Sequence, residues 1–518
     1  MRIMRTNQSY KKLPAKAFYC LLILASCSLF LSSCSDWLDV KSDTVAREKN
    51  LFENYDGFKE ALAGCYTTMA SRDAYGEKLT MTDIEDLACL WAEVGSTNLP
   101  TQYYLMHHQY DNSYSISAIK SIYSTLYTTI AQANFILNHM EEDGQNITSK
   151  DARNVIQGEA LAIRAFCHFD VLRLFGQMPK DPSRQVSLPY SYKSSIHEQA
   201  SYYNYNDFLS RLESDLNEAE SLLQQSDPVL KYTFYQLNGS GSDPADLDDD
   251  FMMYRRYRLN YWAVKALKAR FYLYTGQNSK AYAEAKSVLN AKINGEPVIS
   301  LSGIHDLDNE YFALPNECLF ALHNVSLVNY SVSVLGGNPT AQTGENMHYI
   351  TQAMFERQLF ANQYTASNNR YLTLWNRNAV NMQGIVRPNI RKYYYDARSE
   401  TSTSAAVGIT LYKQCMPLIR LSEIYLILME TTTDLAEANT LYKDYMASHN
   451  VNITTDFESL DEVRSLIVDE YRREFYAEGV MFYTYKRNGM STMLWNADEM
   501  TEDEYIVPLP DTEYDPNA

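Results

Sequence analysis

The side chains of this 518-residue chain best suited to chemistry are its carboxylates, a few histidines and cysteines, and many tyrosines. Paired carboxylates serve as general acid and base, but 64 Asp and Glu supply such pairs by chance and no spacing singles one out. His107-His108 lacks the i, i+4 placement and carboxylate partner of a helical zinc site, so both read as ordinary loop histidines. The 238–250 segment runs from Asn238-Gly239-Ser240-Gly241 to Asp248-Asp249-Asp250. It lacks the ligand alternation and turn glycine of a calcium loop and reads as a solvated acidic loop. Of eight cysteines, three fall in the first 34 residues, leaving Cys65, Cys89, Cys167, Cys318 and Cys415. Five is odd and no CxxC spacing occurs, so no disulfide framework and no structural zinc are expected. Nucleophile elbow, phosphate loop and dinucleotide fingerprint are all missing. No catalytic residue, metal or cofactor is assigned. Tyrosine, at 42 against 19 Phe, is the outstanding figure; its flat apolar face and hydrogen-bonding tip suit binding surfaces and half-buried helix faces alike.

The elements that must position these residues are mostly helical. Leu259, Trp262, Ala263, Ala266, Leu267, Arg270, Leu273 and Tyr274 form one face of a 3.6-period helix that Gly276 ends. Ala281, Ala285, Val288 and Leu289 begin the next. Such pairs, small residues between bulky ones, resemble tetratricopeptide-type repeats. They recur at 119–142 with 150–175, 206–225 with 257–275, and 417–429 with 436–449, at no fixed period, which implies a degenerate helical repeat scaffold with insertions. The run 160–175 is apolar on nearly every side and belongs at the centre. Residues 75–118 and 295–415 break the pattern; the second holds possible strands at Cys318–His323, Ser331–Leu335 and Ile409–Tyr412. Residues 326–395 contain 15 Asn or Gln, a mark of exposed irregular structure. The expected class is mainly α, with loop-rich and short-strand insertions. The formal charge is −19, which disfavours a nucleic-acid partner.

The first 33 residues hold five cations (Arg2, Arg5, Lys11, Lys12, Lys16) and no acid; without them the charge falls from −19 to −24. The apolar run from Ala17 to Leu31 is too short to span a membrane and suits a signal peptide. It closes on Leu31-Ser32-Ser33-Cys34, which resembles the lipobox of bacterial lipoproteins. That resemblance implies cleavage before Cys34 and lipid (diacylglycerol, with palmitate-type acyl chains) on its sulfur, enough for stable anchoring. Cys34-Ser35-Asp36 is similar to, without fully matching, surface-export signals of Bacteroidetes lipoproteins. The expected organisation is a signal peptide over 1–33, a lipid-anchored tether over 34–50, an N-terminal helical region over 51–250 and a C-terminal region over 251–518.

Four ordered blocks resemble the SusD/RagB family of outer-membrane nutrient-uptake lipoproteins. Residues 158–179, from Gly158-Glu159-Ala160 through Arg164-Ala165-Phe166 to Gly176-Gln177-Met178-Pro179, are similar to the family's "GEAkfLRAfyYFdLvrlfGdvP". Leu126-Tyr127, Ile130 and Ala133-Asn134 precede it. Pro417-Leu418-Ile419-Arg420-Leu421-Ser422-Glu423-Ile424-Tyr425-Leu426-Ile427 follows, then Arg472-Arg473-Glu474-Phe475, Glu478-Gly479, Lys486-Arg487 and Pro508-Leu509-Pro510. Tyr471, Tyr483-Thr484-Tyr485 and Asn369-Arg370 depart from the family pattern and imply a divergent branch. The motif charges Arg164, Arg173, Arg420 with Glu423, Glu470, Arg473, Glu474 and Glu478 sit among apolar residues and read as structural ion pairs.

The resemblance implies a capture protein and not an enzyme. It would bind a glycan, or in some branches a peptide or other nutrient, at the outer membrane facing the cell exterior. It would then pass the ligand to a SusC-like TonB-dependent transporter. The alternatives are a surface glycoside hydrolase, which needs two carboxylates across a cleft, and a tetratricopeptide scaffold that binds only proteins. A sugar ring stacks its C–H faces on Trp or Tyr and pairs its hydroxyls with amides, acids or backbone. Candidate platform residues are therefore aromatics in irregular segments with such groups nearby. Residues 91–114 offer Trp91, Asn98, Tyr103, Tyr104 and Tyr110; residues 326–376 offer Tyr330, Tyr349 and Trp375. Core burial is the competing assignment for both tryptophans. It weighs most on Trp91, whose neighbours Leu87 to Ala92 are apolar.

Overall fold

The structure, a computed structural model, describes residues 51–195, 198–239, 244–336, 346–361, 363–394, 411–496 and 498–514. The chain divides after Gly57. In the first unit the described stretch is 51–57, where the Asn54 side chain accepts from the Gly57 amide at 3.1 Å. All that follows concerns the second, Phe58–Ala518. The acidic segment at 238–250 lies partly outside the described residues.

Short polar side chains start the long helices by satisfying their first amides. Asn112 accepts from Tyr114 before Ser113–Asp143, and Ser149 from Ala152 before Lys150–Phe175. Asn204 does the same for Tyr205–Ser226, and Asn260 for Tyr261–Tyr274. Each helix packs on the next in the chain, and Tyr261–Tyr274 pairs with Asn278–Leu289. The row continues through Leu421–Thr431, which touches Asn278–Leu289, Leu435–Ser448 and Leu460–Glu474. The protein is mainly helical, in the pairings that the sequence period implies.

Every residue from Gly158 to Phe175 is buried. A Cβ at Gly158 would lie 2.8 Å from Leu223 Cγ, so glycine lets the Lys150–Phe175 and Tyr205–Ser226 helices close together. Burial demands partners for charged residues, and the motif cations of this core have them. Arg164 Nη2 lies 2.6 Å from Asp215 and its Nη1 donates to Asn134 at 2.9 Å. Arg255, fully buried, holds Glu159 and Asp227. Arg420 holds Glu317, Glu474 (2.6 Å) and Glu478 (2.8 Å), while Arg370 holds Glu470 at 2.8 Å. The motif charges thus tie distant segments together and are turned inward. Two of the unusual tyrosines meet these cations: the Tyr483 ring lies 3.8 Å from the Arg173 guanidinium and Tyr471 5.7 Å from that of Arg487.

Three local expectations are corrected. Ser331–Leu335 belongs to the helix Leu327–Leu335, whose buried residues Leu327, Ser331 and Leu335 recur every four positions. The Ser-Val-Ser-Val alternation imitates a strand, but the inward face has helical spacing. Residues 417–420 do not open a helix; they end the strand Cys415–Arg420, which pairs antiparallel with the expected strand Cys318–His323. The helix starts at Leu421. Of Ile409–Tyr412, residues 409–410 lie outside the described residues, and Leu411 and Tyr412 are helical, not extended. Three small antiparallel pairs, 188–190 with 201–203, 292–293 with 296–297 and 375–376 with 389–390, accompany that strand pair among the described residues.

Candidate functional site

Three stretches far apart in sequence line one cleft of about 600 Å³: residues 89–93 with 106–107, residues 349–358, and residues 494–498. Beneath it lies the short helix Asp83–Leu87, buried at all five positions. Burial pushes the Asp83 carboxyl up to about 7 and that of Glu85 up to about 8. Glu85 accepts from the Gly479 amide at 2.7 Å. Gly479 has φ +72°, and a Cβ there would lie 1.9 Å from the Leu79 carbonyl oxygen, so only glycine permits this approach.

Trp91 is 1% exposed and shows the cleft little more than an edge. Its indole N–H donates to the Met81 carbonyl at 3.0 Å, and its ring meets His348 and Tyr476 edge-on. His348 in turn lies 3.1 Å from Asp86. Burial opposes a charge on His348, but the Asp86 carboxylate outweighs it and raises the imidazole above its ordinary value. The Ala92 amide donates to the Tyr349 carbonyl at 2.8 Å, joining the first stretch to the second. Tyr349 is half-buried, with the Arg387 guanidinium 3.9 Å over its ring. From the third stretch comes Trp495, half-buried, its ring 6.4 Å from Tyr476. The Trp495 indole N–H is buried and finds no acceptor among the described residues. Such an orphan donor beside a cavity calls for a ligand or water oxygen.

Polar groups ring these aromatics. Glu93 is exposed and lies 3.3 Å from His107, and Thr351, Gln358, Asn496 and Asp498 complete the rim. No Lys or Arg is among the cleft's described lining residues. Apolar rings beside amides, a hydroxyl and carboxylates match the surface of a sugar.

Of the aromatic candidates read from sequence, Trp91 and Tyr349 line the cleft. Tyr103 and Tyr104 stand beside it on the helix Pro100–Met106: Tyr103 packs on His107 at 4.4 Å, and Tyr104 stacks on Tyr114 at 6.1 Å. Asn98 is exposed in the preceding loop, outside the lining. Tyr110 is half-buried and donates to the Glu504 carbonyl at 2.5 Å. Tyr330 lies on another helix with Arg72 5.2 Å over its ring. Trp375 is 2% exposed, packed on Phe355 and Tyr476, and does not line the cleft. Cys34 lies outside the described residues. Sequence reading missed Trp495, Asn496, Asp498, Glu93 and Gln358, and set His107 aside as a loop residue. Leu494-Trp495-Asn496-Ala497-Asp498 carries the same signal used elsewhere, an aromatic beside an amide and an acid.

A second hollow of about 490 Å³ is more apolar, and its tyrosine tips are engaged. Tyr66 donates to Glu159 at 2.6 Å and Tyr257 to the Leu411 carbonyl at 2.6 Å. Among the described residues one acidic group has metal-ligand spacing: His139, Glu142 and Asp143, with His139 already bonded to Asp143 at 2.9 Å.

Residues 36–236 match a family model, SusD-like, described as starch-binding and associating with the outer membrane. No curated protein matches the chain. Among solved structures, a SusD superfamily protein from Bacteroides thetaiotaomicron superposes with a TM-score of 0.67 at 21% identity, covering 90% of this chain and 98% of its own. A putative sugar binding protein from Bacteroides vulgatus gives 0.63 at 22% identity, covering 89% and 96%. A laminarin binding SusD-like protein gives 0.61 at 17% identity, covering 89% and 97%. Residues 36–236 thus match the SusD-like family by sequence, and the chain has the SusD-like fold over nine-tenths of its length.

Proposed function

We propose that this protein is a lipid-anchored outer-membrane lipoprotein, facing the cell exterior, that captures an oligo- or polysaccharide and delivers it to a SusC-like TonB-dependent transporter. The Trp495 cleft is the capture site. The observation that carries this reading is the half-buried Trp495, with an orphan indole N–H, lining one cleft together with Tyr349, amides and acids. Support for the ligand class comes from relatives of the same fold, one a putative sugar binding protein and one laminarin binding. Support for the location comes from the outer-membrane description of the matched family and from Leu31-Ser32-Ser33-Cys34. No helix among the described residues is long and apolar enough to cross a membrane. The anchor is assigned to the lipid on Cys34 on the strength of that lipobox-like sequence.

A hydrolase reading has one observation in its favour, the carboxylates of Glu93 and Asp498 in one cleft. A glycosidase acid must hold its proton near neutral pH, which burial supplies. Both groups here are exposed, and Glu93 pairs with His107. Capture is the reading that fits. The test is a panel of soluble polysaccharides (laminarin, starch, other neutral glucans and mannans, and uronate polymers) offered to the soluble form that starts after Cys34. Binding of one polymer without release of reducing ends is expected. Steady release of reducing ends that Glu93→Gln or Asp498→Asn abolishes would replace capture with catalysis.

A further inference from the structure

A separate hollow of about 340 Å³ lies between the helices Leu435–Ser448 and Leu460–Glu474 and the segment at 363–364. Like the first cleft it sets aromatic rings beside an amide, a hydroxyl and acids, though no Trp is among its described lining residues and its wall includes Arg473. Tyr364 is 43% exposed, and behind it the Tyr442 and Phe457 rings pack 4.9 Å apart. Gln363, Thr455, Asp456 and Asp469 surround these rings, with Arg473 also in the wall. The acids are matched by cations: Asp456 lies 2.5 Å from Lys443 and Asp469 2.6 Å from Arg472.

Two features make this more than a dimple. Tyr364 has φ +52°, an uncommon conformation for a bulky side chain, and its carbonyl accepts the Ser367 and Asn368 amides at 3.2 and 2.9 Å. The turn is pinned, and it holds a large apolar ring out toward solvent where burial would be favourable. The hollow is also mechanically joined to the first cleft. Gln358 lines one and Gln363 the other. Five residues of backbone span at most about 18 Å. Arg473, in the wall of this hollow of about 340 Å³, donates to the Leu359 carbonyl at 2.8 Å, next to Gln358.

We propose that this hollow is a second carbohydrate subsite, which takes a distal stretch of the same glycan chain held in the Trp495 cleft. The proposal rests on the capture reading above. A polymer gripped at two points gains affinity through the high effective concentration of its second stretch, while a short fragment gains nothing. The test uses the polysaccharide from the panel that the intact soluble protein binds, together with short fragments of it. The variants are Tyr364→Asn, Tyr364→Phe and Trp495→Ala. Asn removes the ring yet accepts the left-handed backbone; Phe keeps the stacking face. Expected with Tyr364→Asn is a fall of about tenfold in polymer affinity, with fragment affinity kept within about twofold and Phe restoring the polymer. Polymer affinity unchanged in Tyr364→Asn, while Trp495→Ala abolishes binding, overturns the second subsite and leaves the first. Polymer binding unchanged in Trp495→Ala overturns the cleft assignment and the two-point grip with it. If the intact protein binds no glycan, both readings fall.

Discussion

A ring that stacks on a sugar needs an open face, and Trp91, Trp375 and Trp495 differ in that respect. Trp91 and Trp375 are wedged against Tyr476 and other rings and are buried, whereas Trp495 is half-buried; the Trp375 N–H is unmatched like that of Trp495, but Trp375 does not line the cleft. The apolar neighbours of Trp91 made its burial legible in the sequence. The amide-rich surroundings of Trp375 concealed that Phe355 and Tyr371 would close over that region. Burial of one ring by another depends on long-range contact, which no local pattern reports. Charge sets the next expectation. With Glu93 and Asp498 on the rim and no Lys or Arg among its described lining residues, the cleft disfavours acidic sugars. Two like charges 4 Å apart in water repel by about 1 kcal/mol. A uronate-bearing oligosaccharide should bind more weakly than its neutral counterpart, and Glu93→Gln should narrow that gap by about fivefold in calorimetry; an unchanged gap would remove Glu93 from the site. Arg164 belongs instead to stability. Arg164→Ala leaves Asp215 buried without its partner and should cost about 3–5 kcal/mol in urea unfolding, with glycan affinity of the folded fraction unaltered.

The short helix Asp83–Leu87 illustrates what an element can hide. Three of the five residues in its Asp-Ile-Glu-Asp-Leu sequence are acidic, yet all five are buried, and Gly479 brings another backbone against it. The long helices were legible, since their apolar period is local. The strand Cys415–Arg420 was not, since its partner lies about a hundred residues away at Cys318–His323. The buried acids have a pH consequence. Asp83 and Glu85 hold protons in the folded protein up to about 7 and about 8, while in the unfolded chain they ionise at ordinary carboxylate values. Between these limits the folded state binds more protons, so this contribution is complete below pH 4 and is lost as pH rises to 8. The double variant Asp83→Asn, Glu85→Gln should therefore show a smaller fall in unfolding temperature between pH 5 and 8 than the parent protein. An equal or steeper fall would mean that these carboxyls are ionised in the fold.

At the scale of the whole molecule, the helical row is legible because each pair of helices is a local unit, and the ordered motif blocks are its packing residues. The cleft is assembled from residues near 91, 349 and 495, so its membership appears only after folding. Two of its three stretches were found by asking for aromatics in irregular segments; the third was passed over because it follows a block read as structural. Anchoring is likewise a property of the whole chain. Cys34→Ala should leave the precursor uncleaved or release the protein from the membrane fraction, and unchanged mass and fractionation would remove the lipid assignment. The central claim is that the Trp495 cleft captures a glycan. It is tested most directly by titrating the panel polysaccharide into the soluble protein and into Trp495→Ala. The account predicts a loss of at least about tenfold in affinity, near the value of one stacked aromatic face, with the unfolding temperature held within about two degrees. Equal affinity in the two proteins would contradict it.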